Sequence, residues 1–338
     1  MADGDKDYAL IVGIDKYPSA LSLKPLEGAV GDARDFKRWL IKAGVPKKHI
    51  KAMVSDKKGI APRLHEIVAA VERIYNLSDN SEEPIGRRLY IFLAGHGVGP
   101  DLDEVGLLAA DTSNVTKYFP GRLYANLFRG RALFEQVVLC MDCCRDEDAD
   151  LPDPYFPFDR RKTAGKLVNK VKQFYVFATG FARKSREREF EGRVRGVFTR
   201  ALLAGLEQGA VDGDGKLTGA SLKRYLAREI PKLRGSDSDQ DPDLRGIDDD
   251  FIFAEGLPPR CVVVTVHLSD TTKRLVVLYG KGLQPVNAEA LAVDATRVRV
   301  EVPAGKTYLF RLLHADGTTF KEVGETIDDD GGSNVIEL

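Results

Sequence analysis

At 338 residues, 43% of them hydrophobic and 30% charged, the chain has apolar material for one large domain or two ordinary ones, which excludes disorder as a whole. Fifty Lys and Arg stand against 51 Asp and Glu, so no global field announces nucleic acid or an anionic membrane. Four cysteines make no disulfide framework, MADGDKDYALIVGIDKY has acids where a secretory signal needs a basic segment, and no apolar run nears the roughly 18 residues of a membrane span, so a soluble protein of the reducing cytosol is expected.

Taken in order, the first three-quarters of the chain alternates strand and helix patterns. Residues 8–14 form a short apolar strand, and 26–43 carry apolar residues at helical spacing, with Phe36, Trp39, Leu40 and Ala43 in one stripe. A second strand is expected at 50–54, then an amphipathic helix at 61–77 with Leu64, Ile67, Val68, Val71 and Ile74 on one face. RLYIFLA at 88–94 reads as a fully buried strand, and strands follow at 136–141 and 173–178, helices at 196–206 and 219–229, and a last strand at 250–254. Continuous apolar strands separated by helices imply an α/β domain with a mostly parallel six-stranded sheet covered on both faces, spanning residues 1–257. After Pro258 and Pro259 the pattern changes. CVVVTVHLS, RLVVLYG, TRVRVEVPAG and TYLFRLLHADG are short β segments between turn residues, so 258–338 is expected to be a small all-β, sandwich-like domain.

Ligands of an open parallel sheet sit beyond the carboxyl ends of its strands. RLYIFLA runs into Gly95-His96-Gly97, and VVLCM runs into Asp142-Cys143-Cys144, so an imidazole and a thiol emerge on one sheet edge. A cysteine attacks as thiolate, and a neighbouring imidazole can take its proton and return it to a leaving amine. The Gly97 N–H could point, with the Cys144 N–H, at an oxyanion developing on a carbonyl. Cys140-Met141-Asp142-Cys143 also has the C-x-x-C spacing of a metal or redox site. Positions three apart on a strand face opposite ways, however, and no second cysteine pair exists to complete a zinc site. His49, His65, His267 and His314 lie in ordinary helix, loop and β patterns, where a structural or surface role is the default.

YIFLAGHGVG followed by VVLCMDCCRD resembles the caspase and metacaspase superfamily of cysteine peptidases, above all its prokaryotic members. The caspase cysteine signature is Gln-Ala-Cys-[Arg/Gln/Gly]-Gly, with a histidine about 50 residues upstream. Laid over it, Asp142-Cys143-Cys144-Arg145-Asp146 puts Cys144 at the nucleophile position, and His96 stands at the base position 48 residues earlier. LIVGIDKY, LEGAVGDARDF, GVFTRALLAGL and DPDLRGIDDDFIFA resemble recurrent family segments in the same order, over about residues 7 to 256. Cys143, facing away from Cys144 in an extended backbone, is expected in the core.

The resemblance implies a cysteine endopeptidase. It implies that Asp142, two before the nucleophile, lines the pocket for the side chain preceding the cut, joined by Asp32 of EGAVGDA. Two recessed carboxylates would favour cleavage after Arg or Lys. The bland alternatives are a first-turn helix acid for Asp32 and a strand-end carboxylate for Asp142. One departure is that Ala94 stands where the family often has the serine of Ser-Gly-His-Gly, so one pocket hydrogen bond is expected to be missing. Two basic stretches, FDRRKTAGKLVNKVK and FARKSREREFEGRVR, offer self-processing sites or sites for an activating protease at Arg160, Arg161, Lys162, Lys166, Arg183, Lys184, Arg186 and Arg188. A solvated face of mixed charge is the plain alternative, and basic runs without aromatic residues disfavour nucleic-acid binding.

Some metacaspases depend on calcium, and SDSDQDPDLRGIDDD could hold it weakly. VDGDGKLTGASL fails as an EF-hand loop, with Ala210 at position one and Ser221 at position twelve, and reads better as a turn capped by Thr218 or Ser221. No resident cofactor or metal is therefore expected. Such peptidases often act in regulated cascades, including bacterial cell death and antiviral defence. The other function classes in view are an inactive caspase-like scaffold that binds partners and a thiol or metal protein built on the cysteine cluster.

Overall fold

A computed structural model describes residues 4–18, 23–56, 60–78, 83–113, 115–147, 151–159, 168–236, 240–271, 274–279, 284–285, 291–294, 296–327 and 334–338. Contacts divide the chain into two units, Met1–Glu207 with Leu222–Phe251, and Gln208–Ser221 with Ile252–Leu338.

The elements of the first unit surround a few long apolar strands that are buried on both faces. In chain order these are β1 (Asp7–Gly13), α1 (Ala29–Lys42), β2 (Ile50–Val54), α2 (Leu64–Tyr75), β3 (Gly86–Gly95), β4 (Gly97–Gly99), β5 (Gly106–Leu108), β6 (Tyr118–Pro120), α3 (Gly121–Gly130), β7 (Phe134–Cys143), β8 (Asp146–Glu147), β9 (Lys172–Phe177), β10 (Glu187–Phe190), β11 (Arg193–Gly196) and α4 (Val197–Ala204). There follow β12 (Leu217–Thr218), α5 (Gly219–Arg234), β13 (Asp243–Ile247) and β14 (Ile252–Ala254), of which β13 and α5 from Leu222 on belong to this unit and β12 and β14 to the second. The central sheet has the order β13-β9-β7-β3-β1-β2, parallel except for β13, which runs antiparallel to β9 at the edge. This is the six-stranded, mostly parallel sheet that the apolar runs imply.

The sixth strand differs from the expected one. It is β13, not the apolar segment FIFA, because β14 pairs antiparallel with the short β12. Apolar pattern marks FIFA but not DLRGI, and only pairing decides which segment closes the sheet. The helices are laid down by their apolar stripes. Ile67, Val68, Val71 and Ile74 of α2 are buried against β1 and β3, while Phe36 of α1 stacks on Phe92 of β3 with ring centroids 4.5 Å apart. At about 25 cal/mol per Å² of apolar area, burial of such stripes is what holds the helices to the sheet.

In the second unit, two four-stranded sheets are formed by the C-terminal segments. One joins Cys261–His267 to Leu291–Asp294, Arg297–Pro303 and Asn334–Glu337; the other joins Arg274–Tyr279 to Gln284–Pro285, Lys306–Leu313 and Thr319–Ile327. Alternating residues such as Val264, Val266, Val300, Val302, Phe310 and Leu312 form its core. The turn at 212–216 is closed by the Asp212 carboxylate, which accepts the N–H groups of Asp214 and Lys216 at 2.9 Å each. Thr218 and Ser221 then bond each other's backbone N–H groups at 3.0 Å, a reciprocal cap at the start of α5.

Candidate active site

β3 and β7 end together. Their parallel register pairs Ala94 with Asp142 and Gly95 with Cys143, and pairing resumes at Val98 and Asp146 with the same offset in sequence number. His96 and Cys144 therefore occupy corresponding positions on adjacent chains at the carboxyl edge of the sheet. Gly97 lies so close to the second chain that a Cβ on it would press on the Cys144 carbonyl and the Cys143 side chain. Adjacent strands run about 4.8 Å apart, so the two side chains start within reach of one another.

The three clustered cysteines have different surroundings. Cys140 and Cys143 are buried, and burial raises both thiols above their ordinary range. The Cys143 thiol points at the Leu93 carbonyl, 3.7 Å away, into the core. Cys144 is half-buried, and its Sγ lies 3.8 Å from the Ser185 carbonyl. Among the described residues, no group of three or more His, Cys, Asp or Glu is gathered as a metal cluster.

His96 is half-buried and is held by the connection between β1 and α1. Its Nε2 lies 2.7 Å from the Lys24 carbonyl, and its backbone N–H donates to Tyr17 Oη at 2.9 Å. A carbonyl can only accept, so Nε2 carries the proton and Nδ1 keeps the lone pair in the neutral ring. Gly95 has φ +156°, and a Cβ there would meet Tyr17 Oη, the Leu107 side chain and the Ile14 carbonyl. The bend that brings the histidine out of the sheet requires glycine at that point.

Two carboxylates meet beside this edge. Asp142 is 7% exposed and Asp32 2% exposed. A Cβ at Gly196 would fall onto both of them, so the chain passes between the acids only as glycine. Asp142 is well supplied with donors: Ser185 Oγ to Oδ1 at 2.6 Å, and the Thr199 hydroxyl and N–H to Oδ2 at 2.6 and 3.1 Å. Burial raises its ionisation and those donors oppose the rise. Asp32 accepts the Gly196 N–H at 2.9 Å through Oδ2, whereas its buried Oδ1 has no hydrogen-bond partner and lies 3.7 Å from Arg195 Nε. Burial, and then the neighbouring Asp142 charge, push Asp32 up to about 9. Arg195 is thus the cation that stands at ion-pair distance from this buried acceptor.

Ala94 pairs with Asp142 but brings no hydroxyl to it. The hydroxyls on that carboxylate come instead from Ser185 and Thr199, which lie far along the chain. The stretch from Ser185 to Gly196, which reads as a charged surface loop, is clasped to α1. The Glu187 carboxylate accepts the N–H groups of Glu27 and Gly28 at 3.1 and 2.8 Å, and Arg195 Nε donates to Asp35 at 2.8 Å. Gly28 and Gly31 leave room for it, since a Cβ on either would strike Arg195. Gln240, fully buried, accepts the Arg186 N–H at 3.0 Å and donates to the Ala178 carbonyl at 3.1 Å, which fixes the start of the clasp. Sequence reasoning missed Tyr17, Ser185, Glu187, Arg195, Gly196, Thr199 and Gln240: the mixed charge of SREREFEGRVRG hides Ser185, Glu187, Arg195 and Gly196, and Tyr17, Thr199 and Gln240 lie in other segments that give them no signal of their own.

Of the processing candidates, Arg160, Arg161, Lys162 and Lys166 lie outside the described residues. Arg183 pairs with Asp241 at 2.9 Å, Lys184 is exposed, Arg186 is held by Gln240, and Arg188 sits in β10 opposite Arg195. Within the acidic stretch, Asp241 also pairs with Arg234 at 2.7 Å, Asp243 with Arg145 and Arg245, and Asp248 accepts the Gln173 N–H at 2.8 Å. His49 stacks on Tyr8 at 4.1 Å, a packing role. No helix among the described residues is long and apolar enough to cross a membrane.

Comparison with known proteins agrees with this frame. A curated probable protease of a Desulfuromonadales bacterium is 28% identical over 244 residues, which cover 66% of this chain but 28% of that longer relative. A family model described as the caspase domain, the C14 peptidases, matches residues 6–243, which takes in the five parallel strands of the sheet, both strand ends and the acid pair. The chain belongs to the caspase-domain family of cysteine peptidases.

Proposed function

We propose that this chain is an endopeptidase that cuts proteins after Arg or Lys, with Cys144 as nucleophile and His96 as base. Nδ1 takes the proton of the Cys144 thiol, and the thiolate attacks the carbonyl carbon of the scissile bond. The N–H groups of Gly97 and Cys144 receive the charge that develops on the carbonyl oxygen. The imidazolium returns its proton to the leaving amine, and water then releases the acyl group from sulfur. Asp32 and Asp142 hold the guanidinium or ammonium of the residue before the cut.

The observation that supports this reading is the shared strand end: pairing runs to Gly95 and Cys143 and resumes at Val98 and Asp146 with the same offset, so 96 and 144 fall in the same gap, and Asp142 and Asp32 both lie against Gly196. Self-processing is best sought at Lys184 and in the basic stretch at 160–166, since Arg186 and Arg188 lie in the clasp that supports the pocket. The family likeness supports a place in a regulated proteolytic cascade such as cell death or antiviral defence.

Fluorogenic peptides ending in Arg, Lys or Asp provide the test, with Cys144→Ala and Cys143→Ala beside the native chain and chelator in one arm. Turnover of Arg and Lys peptides that survives chelator and Cys143→Ala but not Cys144→Ala is expected. Loss with Cys143→Ala alone would move the nucleophile, loss with chelator alone would favour a metal protein, and no turnover of any peptide would leave a binding scaffold. Intact mass of the native chain after long incubation, against Cys144→Ala, reads self-processing.

A further inference from the structure

His96 is fastened at two points by one connection. Lys24 lends its backbone carbonyl to the ring Nε2 at 2.7 Å, and Tyr17 Oη accepts the His96 backbone N–H at 2.9 Å. The Tyr17 ring also lies against the imidazole, with centroids 5.0 Å apart and planes tilted by 57°. Its approach is close enough that Gly95 could not carry a Cβ without striking Oη. Burial first, and the neighbouring Cys143 next, push Tyr17 ionisation well above its ordinary value, so it is a neutral phenol at working pH. It therefore accepts a hydrogen bond without adding a charge that would compete for the thiol proton.

We propose that Tyr17 is a positioning residue for the His96 base: its hydroxyl fixes the backbone at the Gly95 bend, and its ring backs the imidazole so that Nδ1 keeps one direction. The inference rests on the His96 and Cys144 reading above. An imidazole swings about two side-chain torsions, and a bond at Nε2 alone leaves its Cα end free to move with the glycines on either side. With the backbone N–H pinned as well, the ring has one place to stand. A residue at position 24 cannot remove the carbonyl, whereas a substitution at 17 removes the hydroxyl, which makes the tyrosine the testable half of the pair.

The experiment uses Tyr17→Phe, which keeps the ring, and Tyr17→Leu, which removes both elements, in the full chain with His96→Ala for reference. Peptide turnover is measured alongside iodoacetamide labelling of Cys144, followed by mass spectrometry across pH 5 to 9. Tyr17→Phe is expected to lower kcat by about tenfold or more with KM within about twofold, and Tyr17→Leu to fall further. The Cys144 labelling profile of Tyr17→Phe should shift toward that of His96→Ala. A Tyr17→Phe chain with native kcat and a native labelling profile overturns the inference, and so does a lowered melting temperature with both unchanged. If His96→Ala labels like the native chain, the dyad reading itself falls; if His96→Ala differs and Tyr17→Phe does not, only the role of Tyr17 falls.

Discussion

Asp32→Asn should make the protein more stable and a poorer enzyme at the same time. Asp32 is 2% exposed, has no hydrogen bond to Oδ1, and is pushed from its ordinary 3.8 up to about 9 by burial and by Asp142. Between those two values the unfolded chain carries the carboxylate while the folded chain carries the acid. The stability from this group is therefore complete below about pH 4 and is lost as pH rises toward 9. Each unit in that window costs about 1.4 kcal/mol, which amounts to something on the order of 4 kcal/mol at pH 7. Asparagine mimics the protonated acid, keeps an acceptor for the Gly196 N–H, and does not titrate. Melting temperatures at pH 4, 6 and 8 should show Asp32→Asn near the native chain at pH 4 and above it by several degrees at pH 8. Cleavage of Arg peptides should drop about a hundredfold in kcat/KM, the cost of removing one partner of a buried charge pair. For the native chain, KM for Arg peptides should fall as pH rises from 6 toward 9, because the entering cation must expel the Asp32 proton; Asp32→Asn should lack that slope. An Asp32→Asn chain no more stable at pH 8, or one that cuts Arg peptides with a native pH profile, would refute the reasoning.

Gly196→Ala should abolish Arg cleavage and lower the melting temperature, because its Cβ would fall on the Asp142 carboxylate and Asp32; overpacking of this kind costs about 1–3 kcal/mol. Gly180→Ala, where a Cβ meets nothing within 4 Å, is the matched control and should change neither. Arg145, next to Cys144 and fully buried, donates to Asp243 at 3.2 Å and to the Leu102 carbonyl at 2.6 Å. Arg145→Ala should cost about 1–3 kcal/mol in a urea titration, since it leaves the Leu102 carbonyl without its donor while Asp243 keeps Arg245; a loss below about 0.5 kcal/mol would show these contacts to be dispensable.

The apolar runs of β1, β3, β7 and β9 already contain the sheet, because a strand buried on both faces must be apolar throughout and its length is set by the layer it crosses. The same runs place Gly-His-Gly and Asp-Cys-Cys at strand ends, so the imidazole, the thiol and Asp142 were legible from local pattern alone. Local pattern does not choose neighbours. That β3 lies beside β7, and that β13 takes the edge while β14 pairs elsewhere, is decided by packing and ladder formation between distant segments. The Asp32 to Gly196 bond closes a separation of 164 residues, and Asp142 finds Thr199 across 57. Ser185, Glu187 and Arg195 look like any solvated charge until the chain returns to α1, where the carboxylates and amides left exposed by the sheet edge capture them. Sequence determined which residues must be buried and where each strand stops; tertiary structure alone decided which polar groups satisfy one another, because a hydrogen bond depends on proximity in space and leaves no period along the chain.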